Sequence, residues 1–514
     1  MKAFFKNILI LFSLCLALAG CYKDLSTEAS MTIPDIRIEG VDSTLNIVWG
    51  QEIKMTAKVT QEGRSEEDFT YLWEIDLYPG NENDRMEISD TKELDYKVSN
   101  SPSDKPYCLS LKVTDKQTGL SAYAVSKVYI GSSLGEGLLV AYTRDGGKTS
   151  DVDIVADPVL TYGYTDATRY TRELYSLSNG SALEGKILCM SEIVCSQSSS
   201  LDLTKIIVGT DSHILSLDPL TFRLKDSDAQ LFNSIKEDSF KTTALANFGG
   251  YSSVAVVNGT LYGIVDIIDN VYSKVAYSKT PSSIFTDRNF GYYALDQGCL
   301  LVFNEIEGKF YYIYGWGLMN SSLQELTSSF DFTYAGAKAL GGGCLKGQMP
   351  ALLLRDASGN HYICCFDSSS VDATTYTYKV SGADMGDIVS VAFCDNADLM
   401  YYATPSKIYS VLITGGKATA TALSWKPDSS DEKITGIRQY TQGWYGTHQY
   451  YLSDYQFQNA YNRLQILITT YNEKTGEGKI YMRPFNVSTG RFTMKSNGTL
   501  KGFGEITAIA PTFR

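Results

Sequence analysis

Residues 253–265 have the sequence SVAVVNGTLYGIV. Asn258 and Gly259 lie at its centre, and both residue types accept the positive φ angles that a two-residue hairpin turn requires. The flanking residues are rich in valine, isoleucine and tyrosine, which are common in strands. The segment therefore predicts an antiparallel hairpin and indicates an all-β fold.

Short apolar strands separated by turns recur from residue 135 to residue 514. Further clusters lie at residues 138–142, 206–209, 300–303, 351–354, 389–393 and 464–468. Seven units of about 54 residues would suit four-stranded blades with their loops, and a propeller leaves few exposed strand edges. We predict a β-propeller over residues 135–514, most simply with seven blades, although six or eight remain open. Ile506–Ala510 is predicted to pair with Leu138–Tyr142 and join the two ends of the propeller.

Residues 34–132 alternate with period two and predict a separate immunoglobulin-like β-sandwich. The alternating segments are residues 45–49 and 53–59, which flank Gly50 as a hairpin or strand pair would, and residues 69–75 and 107–113. Because successive side chains of a strand point to opposite faces, the last segment has a definite orientation. Its core-facing residues are predicted to be Tyr107, Leu109, Leu111 and Val113, with Cys108 facing outward.

The first 20 residues resemble a bacterial lipoprotein signal peptide. Lys2 and Lys6 accompany the apolar run Ile8–Leu18, which is shorter than the roughly 20 residues that span a bilayer. The run leads into Leu18-Ala19-Gly20-Cys21, which is similar to a lipobox, where cleavage precedes a cysteine that becomes lipidated. We expect residues 1–20 to be removed, Cys21 to carry the lipid, and residues 21–33 to form a linker.

Composition narrows the classes of function. The chain has 58 acidic and 45 basic residues and a formal charge of -13, which argues against nucleic-acid binding because that needs clustered positive charge. With three histidines and no C-x-x-C pair, we predict no metal site and no cofactor. Most cysteines lie in apolar runs and are interpreted as free buried thiols, with a Cys189–Cys195 disulfide left open.

Acidic pairs are the main argument for catalysis. Asp151 with Asp153, or Asp454 in an aromatic segment, could supply the two carboxylates of a glycosidase. Asp145 and the same pair also hint at calcium, although the residue order of a calcium loop is absent. Neighbouring acids are expected by chance among 58 acidic residues. We therefore predict a noncatalytic protein.

Two features of the N-terminal third resemble a known family. Tyr71-Leu72-Trp73-Glu74 followed by Tyr107-x-Leu109-x-Leu111-x-Val113-Thr114-Asp115 is similar to polycystic-kidney-disease-type (PKD) modules, without their usual Gly-Asp-Gly turn. Together with the lipobox and the segment at residues 173–180, the layout resembles the PKD-like lipoproteins of Bacteroidota. Lys23-Asp24 is similar to the tag that directs such lipoproteins to the outer face of the outer membrane.

The resemblance implies a location and partners. It implies a lipid-anchored outer-membrane protein, most simply on the extracellular face, that accompanies a SusC/SusD-type TonB-dependent nutrient transporter. It supplies no catalytic residues.

Aromatic residues mark the candidate binding segment. Residues 439–461 hold eight tyrosine, tryptophan and phenylalanine residues and are flanked by Arg438 and Arg463. This segment is too irregular for a simple blade and predicts a loop insertion, and loops on a rigid scaffold often carry binding. The expected ligand- or partner-binding residues are Tyr440, Trp444, Tyr445, His448, Tyr450, Tyr451 and Tyr455.

These observations favour an accessory binding protein. The expected ligand is a peptide, a glycan or the transporter itself, and nucleic acid is not expected. Two alternatives remain open. One is a propeller-fold glycan hydrolase or lyase, and the other is a structural adhesin or assembly subunit.

Overall fold

The computed structural model is all-β and consists of two compact units that divide between Gly131 and Ser132. It describes residues 34–512 except for residues 82, 104, 133, 136, 162–163, 195–203, 233–234, 236, 249–251, 266–272, 275–283, 286–298, 306, 315–323, 327–329, 331–334, 347–348, 368–373 and 442–460. None of the helices among the described residues is long and apolar enough to cross a membrane.

The first unit contains nine strands in its described part. They are β1 (Arg37–Glu39), β2 (Thr44–Val48), β3 (Glu52–Thr56), β4 (Lys58–Thr60), β5 (Phe69–Asp76), β6 (Arg85–Ser89), β7 (Glu93–Lys97), β8 (Tyr107–Asp115) and β9 (Ser121–Gly131). One sheet has the order β2-β9-β8-β5-β6, and the pairs β1-β4 and β3-β7 form two smaller sheets.

The core of this unit is a β-sandwich centred on β5 and β8. Trp73 is fully buried, and its indole N–H donates to the Thr91 carbonyl at 3.0 Å. The predicted orientation of β8 is confirmed, because its four core-facing residues are 0–2% exposed and Cys108 is only partly buried. The prediction that residues 45–49 and 53–59 pair with each other around Gly50 is wrong. Strand β2 pairs in parallel with β9, whereas β3 pairs with β7, because alternation defines a buried face and not the partner strand.

The second unit begins with β10 (Gly137–Thr143), β11 (Thr149–Ala156), β12 (Arg169–Thr171), helix α1 (Leu174–Asn179) and β13 (Leu183–Glu184). It continues with β14 (Ile187–Val194), β15 (Thr204–Thr210), β16 (Ile214–Leu217), β17 (Leu224–Ser227), β18 (Thr242–Phe248), β19 (Ser252–Val257), β20 (Thr260–Val265), β21 (Ser273–Lys274), β22 (Ile284–Phe285), β23 (Cys299–Asn304), β24 (Lys309–Tyr314) and β25 (Gln324–Glu325).

The remaining strands complete the chain. They are β26 (Lys338–Leu345), β27 (Met349–Arg355), β28 (His361–Asp367), β29 (Thr374–Ser381), β30 (Ser390–Cys394), β31 (Leu399–Ala403), β32 (Ile408–Thr414), β33 (Lys417–Ala422), β34 (Glu432–Gln439), β35 (Gln465–Asn472), β36 (Glu477–Pro484), β37 (Thr499–Phe503) and β38 (Glu505–Thr512). Short 3-10 helices lie at Glu66–Asp68, Asp228–Leu231 and Met385–Asp387.

These strands form a propeller, and its described part contains seven antiparallel groups of four. The first blade is β38-β10-β11-β12, and each later blade takes the next four strands from β14 onward. The predicted hairpin at Asn258 and Gly259 is confirmed as the turn between β19 and β20. Blades 5 and 6 are also joined through a short parallel pairing of β29 with β33.

The two ends of the propeller meet in the first blade, as the sequence predicts. Strand β38 pairs with β10 over Gly137–Thr143, including Val140 opposite Ile509. The first strands of successive blades contact one another from β38 through β14 to β34, so they surround the propeller axis. Pairing the last strand with an early one closes the ring and leaves no open blade.

Glycines on β26 allow two of these first strands to approach closely. A Cβ atom at Gly341 would lie 1.9 Å from Cγ2 of Val391, and one at Gly343 would lie 3.0 Å from Cβ of Phe393. Both neighbours belong to β30. These glycines therefore serve blade packing, consistent with the absence of a strand–glycine–helix phosphate motif in the sequence.

We expect Gly341→Ala to lower the free energy of unfolding by about 1–3 kcal/mol, because the new methyl group overpacks the contact between β26 and β30. Gly386→Ala is the matched control, since among the described residues no atom beyond its chain neighbours lies within 4 Å of its Cβ position, and it should change stability by less than about 0.5 kcal/mol. Urea unfolding of both variants measures the difference. Equal stability would show that the blades are not closely packed here.

Six cysteines of the described chain form no disulfide, namely Cys108, Cys189, Cys344, Cys364, Cys365 and Cys394. The last four are buried, and burial raises the pKa of the Cys365 thiol to about 12. The interpretation as small apolar core residues is confirmed for these buried thiols. Cys189 forms no disulfide, and its thiol donates to the Thr242 carbonyl, whereas Cys195, the other cysteine of the disulfide left open above, lies outside the described residues.

Candidate functional site

The strand connections of the propeller leave from two opposite edges of its blades. Successive strands of a blade run in opposite directions. The connections from its first to its second strand and from its third to its fourth strand therefore lie at one edge of the blade, and the turn from its second to its third strand lies at the other edge. The second-to-third turns have two to five residues. The opposite edge carries the longest connection, residues 440–464 between β34 and β35. We call this edge the loop-bearing face and residues 440–464 the insertion.

The two ends of the insertion are held side by side. The backbone N–H of Tyr440 donates to the Gln465 carbonyl, and the N–H of Arg463 donates to the Tyr440 carbonyl, both at 2.9 Å. These bonds extend the pairing of β34 with β35 beyond the last residues of the two strands. The chain thus leaves and re-enters the blade at one fixed point.

A buried amide links this point to the neighbouring blade. Gln439 is 4% exposed, and its side-chain N–H groups donate to Asn396 Oδ1 at 3.1 Å and to the Arg463 carbonyl at 3.0 Å. The Asp395 N–H donates to Gln439 Oε1, and the Asn396 amide donates to the Arg463 carbonyl. Each such bond contributes about 0.5–1.5 kcal/mol net. We call Asp395, Asn396, Gln439 and Arg463 the insertion frame.

Arg463 has the most constrained backbone in the frame. Its φ of 64° lies in the left-handed region, which costs a residue other than glycine about 1–3 kcal/mol. The side chain offsets this cost through an ion pair, with Nε 2.7 Å from Asp395 Oδ1 and a second bond from Nη2 to the Asp395 carbonyl. The pair is only 15–28% exposed, so solvent screens it weakly.

Tyr440 lies in the core, away from any ligand-accessible surface. It is 2% exposed, packs with Leu160 and Leu467, and donates its hydroxyl to the Leu160 carbonyl. Gln465 donates to the Val159 carbonyl next to it. Of the predicted binding residues, Tyr440 therefore anchors the insertion to the first blade and is too buried for ligand contact.

The other predicted site residues lie outside the described residues. They are Cys21 at the lipidation motif and, within the insertion, Trp444, Tyr445, His448, Tyr450, Tyr451 and Tyr455. The sequence did not predict a role for Asp395, Asn396 and Gln439. Gln439 is the last residue of β34, and Asp395 and Asn396 lie in the short turn between β30 and β31, so no local sequence motif marks them as site residues. Arg463 was recognised only as a flanking charge.

Asp151 and Asp153, the carboxylates considered for a glycosidase or calcium site, are used internally. Asp151 accepts N–H groups of Tyr175 and Ser176 at the start of α1 and also the Ser176 hydroxyl. Asp153 binds Arg172 and the Tyr142 hydroxyl. Hydrogen bonds from the Thr149 N–H and hydroxyl hold the pKa of Asp145 well below its usual range. Among the described residues no cluster of three or more His, Cys, Asp or Glu side chains is suited to a metal ion.

The two described histidines have different surroundings. Nδ1 of His213 lies 2.8 Å from Asp228 Oδ2 near a surface turn. His361 is 6% exposed, and its Nε2 atom has no hydrogen-bond partner among the described residues. Burial lowers the pKa of His361, and the nearby charge of Arg355 lowers it further, against an opposing effect of Asp356. The folded protein therefore holds His361 in its neutral form.

His361 should make the protein less stable as the pH falls. In the unfolded chain its pKa is about 6.5, so below that pH the unfolded state takes up a proton more readily than the native state. The native state thus loses stability as the pH falls through about 6.5. We expect His361→Gln to weaken this pH dependence, measured by urea unfolding between about pH 7.5 and 5.5. An unchanged slope would contradict a buried neutral imidazole.

Comparison with known families finds a match for the N-terminal third of the chain. Residues 21–186 match the PKD-like family. The match extends past the end of the sandwich at Gly131 to β10–β13 and α1 of the first blade. Asp151, Asp153 and the helix that Asp151 caps therefore belong to the PKD-like segment. No curated protein matches the chain.

Solved structures with a similar fold cover most of the chain. A quinonprotein alcohol dehydrogenase-like protein from Bacteroides thetaiotaomicron VPI-5482 matches with 13% identity and a TM-score of 0.48, over 93% of this chain and 99% of its own. AztD from Citrobacter koseri matches with 13% identity and a TM-score of 0.38, over 86% of this chain and 98% of its own. TM-scores below 0.5 at such low identity say nothing about function.

Proposed function

We propose that the protein is a noncatalytic lipoprotein, anchored through Cys21 at the outer-membrane surface, that binds through the loop-bearing face of its propeller. Its partner is a SusC/SusD-type nutrient transporter, and the face contacts either that transporter or a peptide or glycan destined for it. The lipobox at residues 18–21 and the PKD-like match of residues 21–186 support the anchor and the family context.

The observation that carries the binding role is the insertion frame. Four side chains and two backbone bonds fix both ends of one long hairpin connection, at the edge of the blade where the other long hairpin connections also lie. A frame of this kind limits the conformational entropy that binding must overcome. Backbone strain such as that of the left-handed Arg463, held here by a partly buried ion pair, is found most often at functional sites.

The composition of the insertion indicates the kind of ligand. Residues 442–460 contain six aromatic residues, several amides, one aspartate and no lysine or arginine. Aromatic faces pack on the apolar faces of sugars or peptide side chains, while tyrosine hydroxyls and amides form hydrogen bonds. A largely uncharged ligand or protein surface therefore fits better than an ionic one.

A double substitution in the insertion tests this role. We expect Trp444→Ala/Tyr445→Ala to weaken partner or ligand binding by at least about 30-fold, because aromatic anchors often contribute 2 kcal/mol or more. Tyr123→Ala is the matched control, since Tyr123 is 59% exposed in the other unit. Affinity for the purified transporter pair and for a glycan and peptide panel is measured, with thermal unfolding to check the fold. Unchanged affinity of the double variant would contradict the assignment.

A further inference from the structure

Blade 7 carries a second long connection, residues 485–498, which joins β36 to β37. It lies at the loop-bearing face, because it joins the third strand of the blade to the fourth. Its first residue, Phe485, donates its backbone N–H to the carbonyl of Leu464, the last residue of the insertion, at 3.1 Å. The Asn497 amide donates to Gln465 Oε1 at 3.0 Å. We call residues 485–498 the arm, and it begins where the insertion re-enters the blade.

The arm is fixed against blade 6. Phe485 and Phe492 pair as a bridge, and their ring centroids lie 5.7 and 5.8 Å from that of Tyr401 in β31. The Tyr401 hydroxyl donates to the Gly490 carbonyl at 2.9 Å. A Cβ atom at Gly490 would lie 2.8 Å from Cδ1 of Leu399, so glycine permits this close approach. The arm therefore loses little conformational freedom when it binds a partner.

Residues 494–496 bulge from the arm. The backbone N–H groups on either side, those of Thr493 and Asn497, donate to carbonyls of β36 at 2.8 and 3.1 Å. Met494 in the bulge is 102% exposed, the largest exposed fraction among the large apolar side chains of the described residues. Methionine is enriched at protein interfaces, and its flexible thioether adapts to irregular recesses. Met494 is therefore placed to act as an apolar anchor.

The arm belongs to a basic part of an acidic chain. Residues 478–504 contain five lysine and arginine residues and no aspartate or glutamate, whereas the whole chain has a net charge of -13. Arg491 and Lys495 of the arm are exposed and form no ion pair in the described part of the chain. The net charge of the chain repels an acidic partner, and these two residues attract it locally. Such a patch selects both the partner and its orientation.

We propose that the arm docks onto an acidic protein surface with an apolar recess. Met494 enters the recess, and Arg491 and Lys495 pair with carboxylates beside it. The proposal rests on the proposed function in one respect, because it takes this surface to belong to the transporter. The arm then adds a charged contact beside the largely uncharged contact expected at the insertion.

A protein surface fits the arm better than a membrane does. Binding to anionic lipid headgroups generally uses clusters of about four to eight lysine and arginine residues, and the arm offers Arg491 and Lys495 beside one methionine. A protein partner compensates for so few groups with a shaped recess and with carboxylates at matching positions. A fixed arm suits such a partner, because its side chains are already in place.

The test measures binding kinetics to the purified transporter pair by surface plasmon resonance at low and high salt. We expect Arg491→Gln/Lys495→Gln to lower the association rate constant about 3- to 10-fold at low salt, with a smaller effect at high salt, because salt screens steering charges. Lys433→Gln/Lys474→Gln is the matched control. It removes the same charge from two exposed lysines outside the arm that are already paired with acids.

Met494→Ser tests the anchor. We expect it to raise the dissociation rate constant about 5- to 30-fold, because the loss of an apolar anchor mainly shortens the lifetime of a complex. Leu177→Ser is its control, since Leu177 is 71% exposed on α1, outside the arm. Thermal unfolding checks that every variant keeps the fold.

Three outcomes would overturn the proposal. The first is an equal association rate constant for the two double variants, and the second is an unchanged dissociation rate constant for Met494→Ser. The third is unchanged transporter binding by Arg491→Gln/Lys495→Gln together with reduced binding to vesicles of phosphatidylcholine and phosphatidylglycerol, which would assign the arm to the membrane.

Failure of the arm and failure of the proposed function are distinguishable. If the wild-type protein does not bind the transporter pair, both are contradicted. If the wild-type protein binds and Trp444→Ala/Tyr445→Ala weakens binding while the arm variants do not, the proposed function stands and the role of the arm is wrong.

Discussion

Replacing Asp153 with alanine should lower the free energy of unfolding of the propeller by about 3–5 kcal/mol, because it leaves a partly buried arginine without its partner. The Asp153 side chain is fully buried and accepts hydrogen bonds from Arg172, from the Tyr142 hydroxyl and from the Glu173 N–H. Arg172 in turn donates to the Lys501 carbonyl and lies over the rings of Tyr170 and Phe503. One carboxylate therefore connects the beginning and the end of the propeller chain.

The measurement is urea unfolding of the mature chain, followed by near-ultraviolet circular dichroism. Glu473→Ala is the control, because Glu473 also forms an ion pair in the propeller but is 70% exposed, and exposed pairs contribute about 0–1 kcal/mol. Asp153→Asn keeps the side-chain shape, and its loss in the free energy of unfolding should lie between the losses from Asp153→Ala and Glu473→Ala. A loss from Asp153→Ala no greater than that from Glu473→Ala would contradict this role.

The second large effect is expected at Glu432, where Glu432→Ala should also lower stability by about 3–5 kcal/mol. The Glu432 side chain is 1% exposed, and it accepts hydrogen bonds from Lys479, Thr470 and Tyr481. Removing it leaves three donors of β35 and β36 without their acceptor. Urea unfolding measures the loss, and Lys433→Ala, one residue further along the same strand and exposed, is the control.

Glu432 also predicts a dependence on acidic pH. Burial acts to raise the pKa of its carboxyl, but hydrogen bonds from Lys479, Tyr481 and Thr470 outweigh burial and leave the pKa below its usual value of 4.5. The stabilisation is therefore complete above about 4.5 and is lost as the pH falls through the lower folded pKa. The wild-type protein should lose more stability than Glu432→Ala across this acidic range. Equal losses would show that the carboxyl is not held ionised.

The elements that could be predicted from the sequence are those with a local pattern. Asn258 and Gly259 define a turn through their own backbone preferences, and the alternation of Tyr107–Val113 defines a buried face. The pairing of β38 with β10 was also predictable, because a propeller must close its ring.

Other elements depend on partners far along the chain. Strand β2 alternates normally but pairs with β9, about 80 residues away, as sandwich topology requires. From the sequence, Asp151 and Asp153 are expected to be solvent-exposed acids, but in the structure they bind groups of residues 172–176. Tyr440 belongs to an aromatic run, yet the Leu160 carbonyl of another blade accepts its hydroxyl and places it in the core. Spacing within a motif does not encode such contacts.

Co-purification of the native protein from detergent-solubilised outer membrane tests the central claim most directly. The full-length chain, carrying a C-terminal tag, is captured and its partners are identified by mass spectrometry, with Cys21→Ala and Trp444→Ala/Tyr445→Ala in parallel. We predict that a SusC/SusD-type transporter pair is recovered with the wild-type protein and reduced with the double variant, and that Cys21→Ala is absent from the membrane fraction. Recovery of the wild-type protein alone would contradict the proposed function.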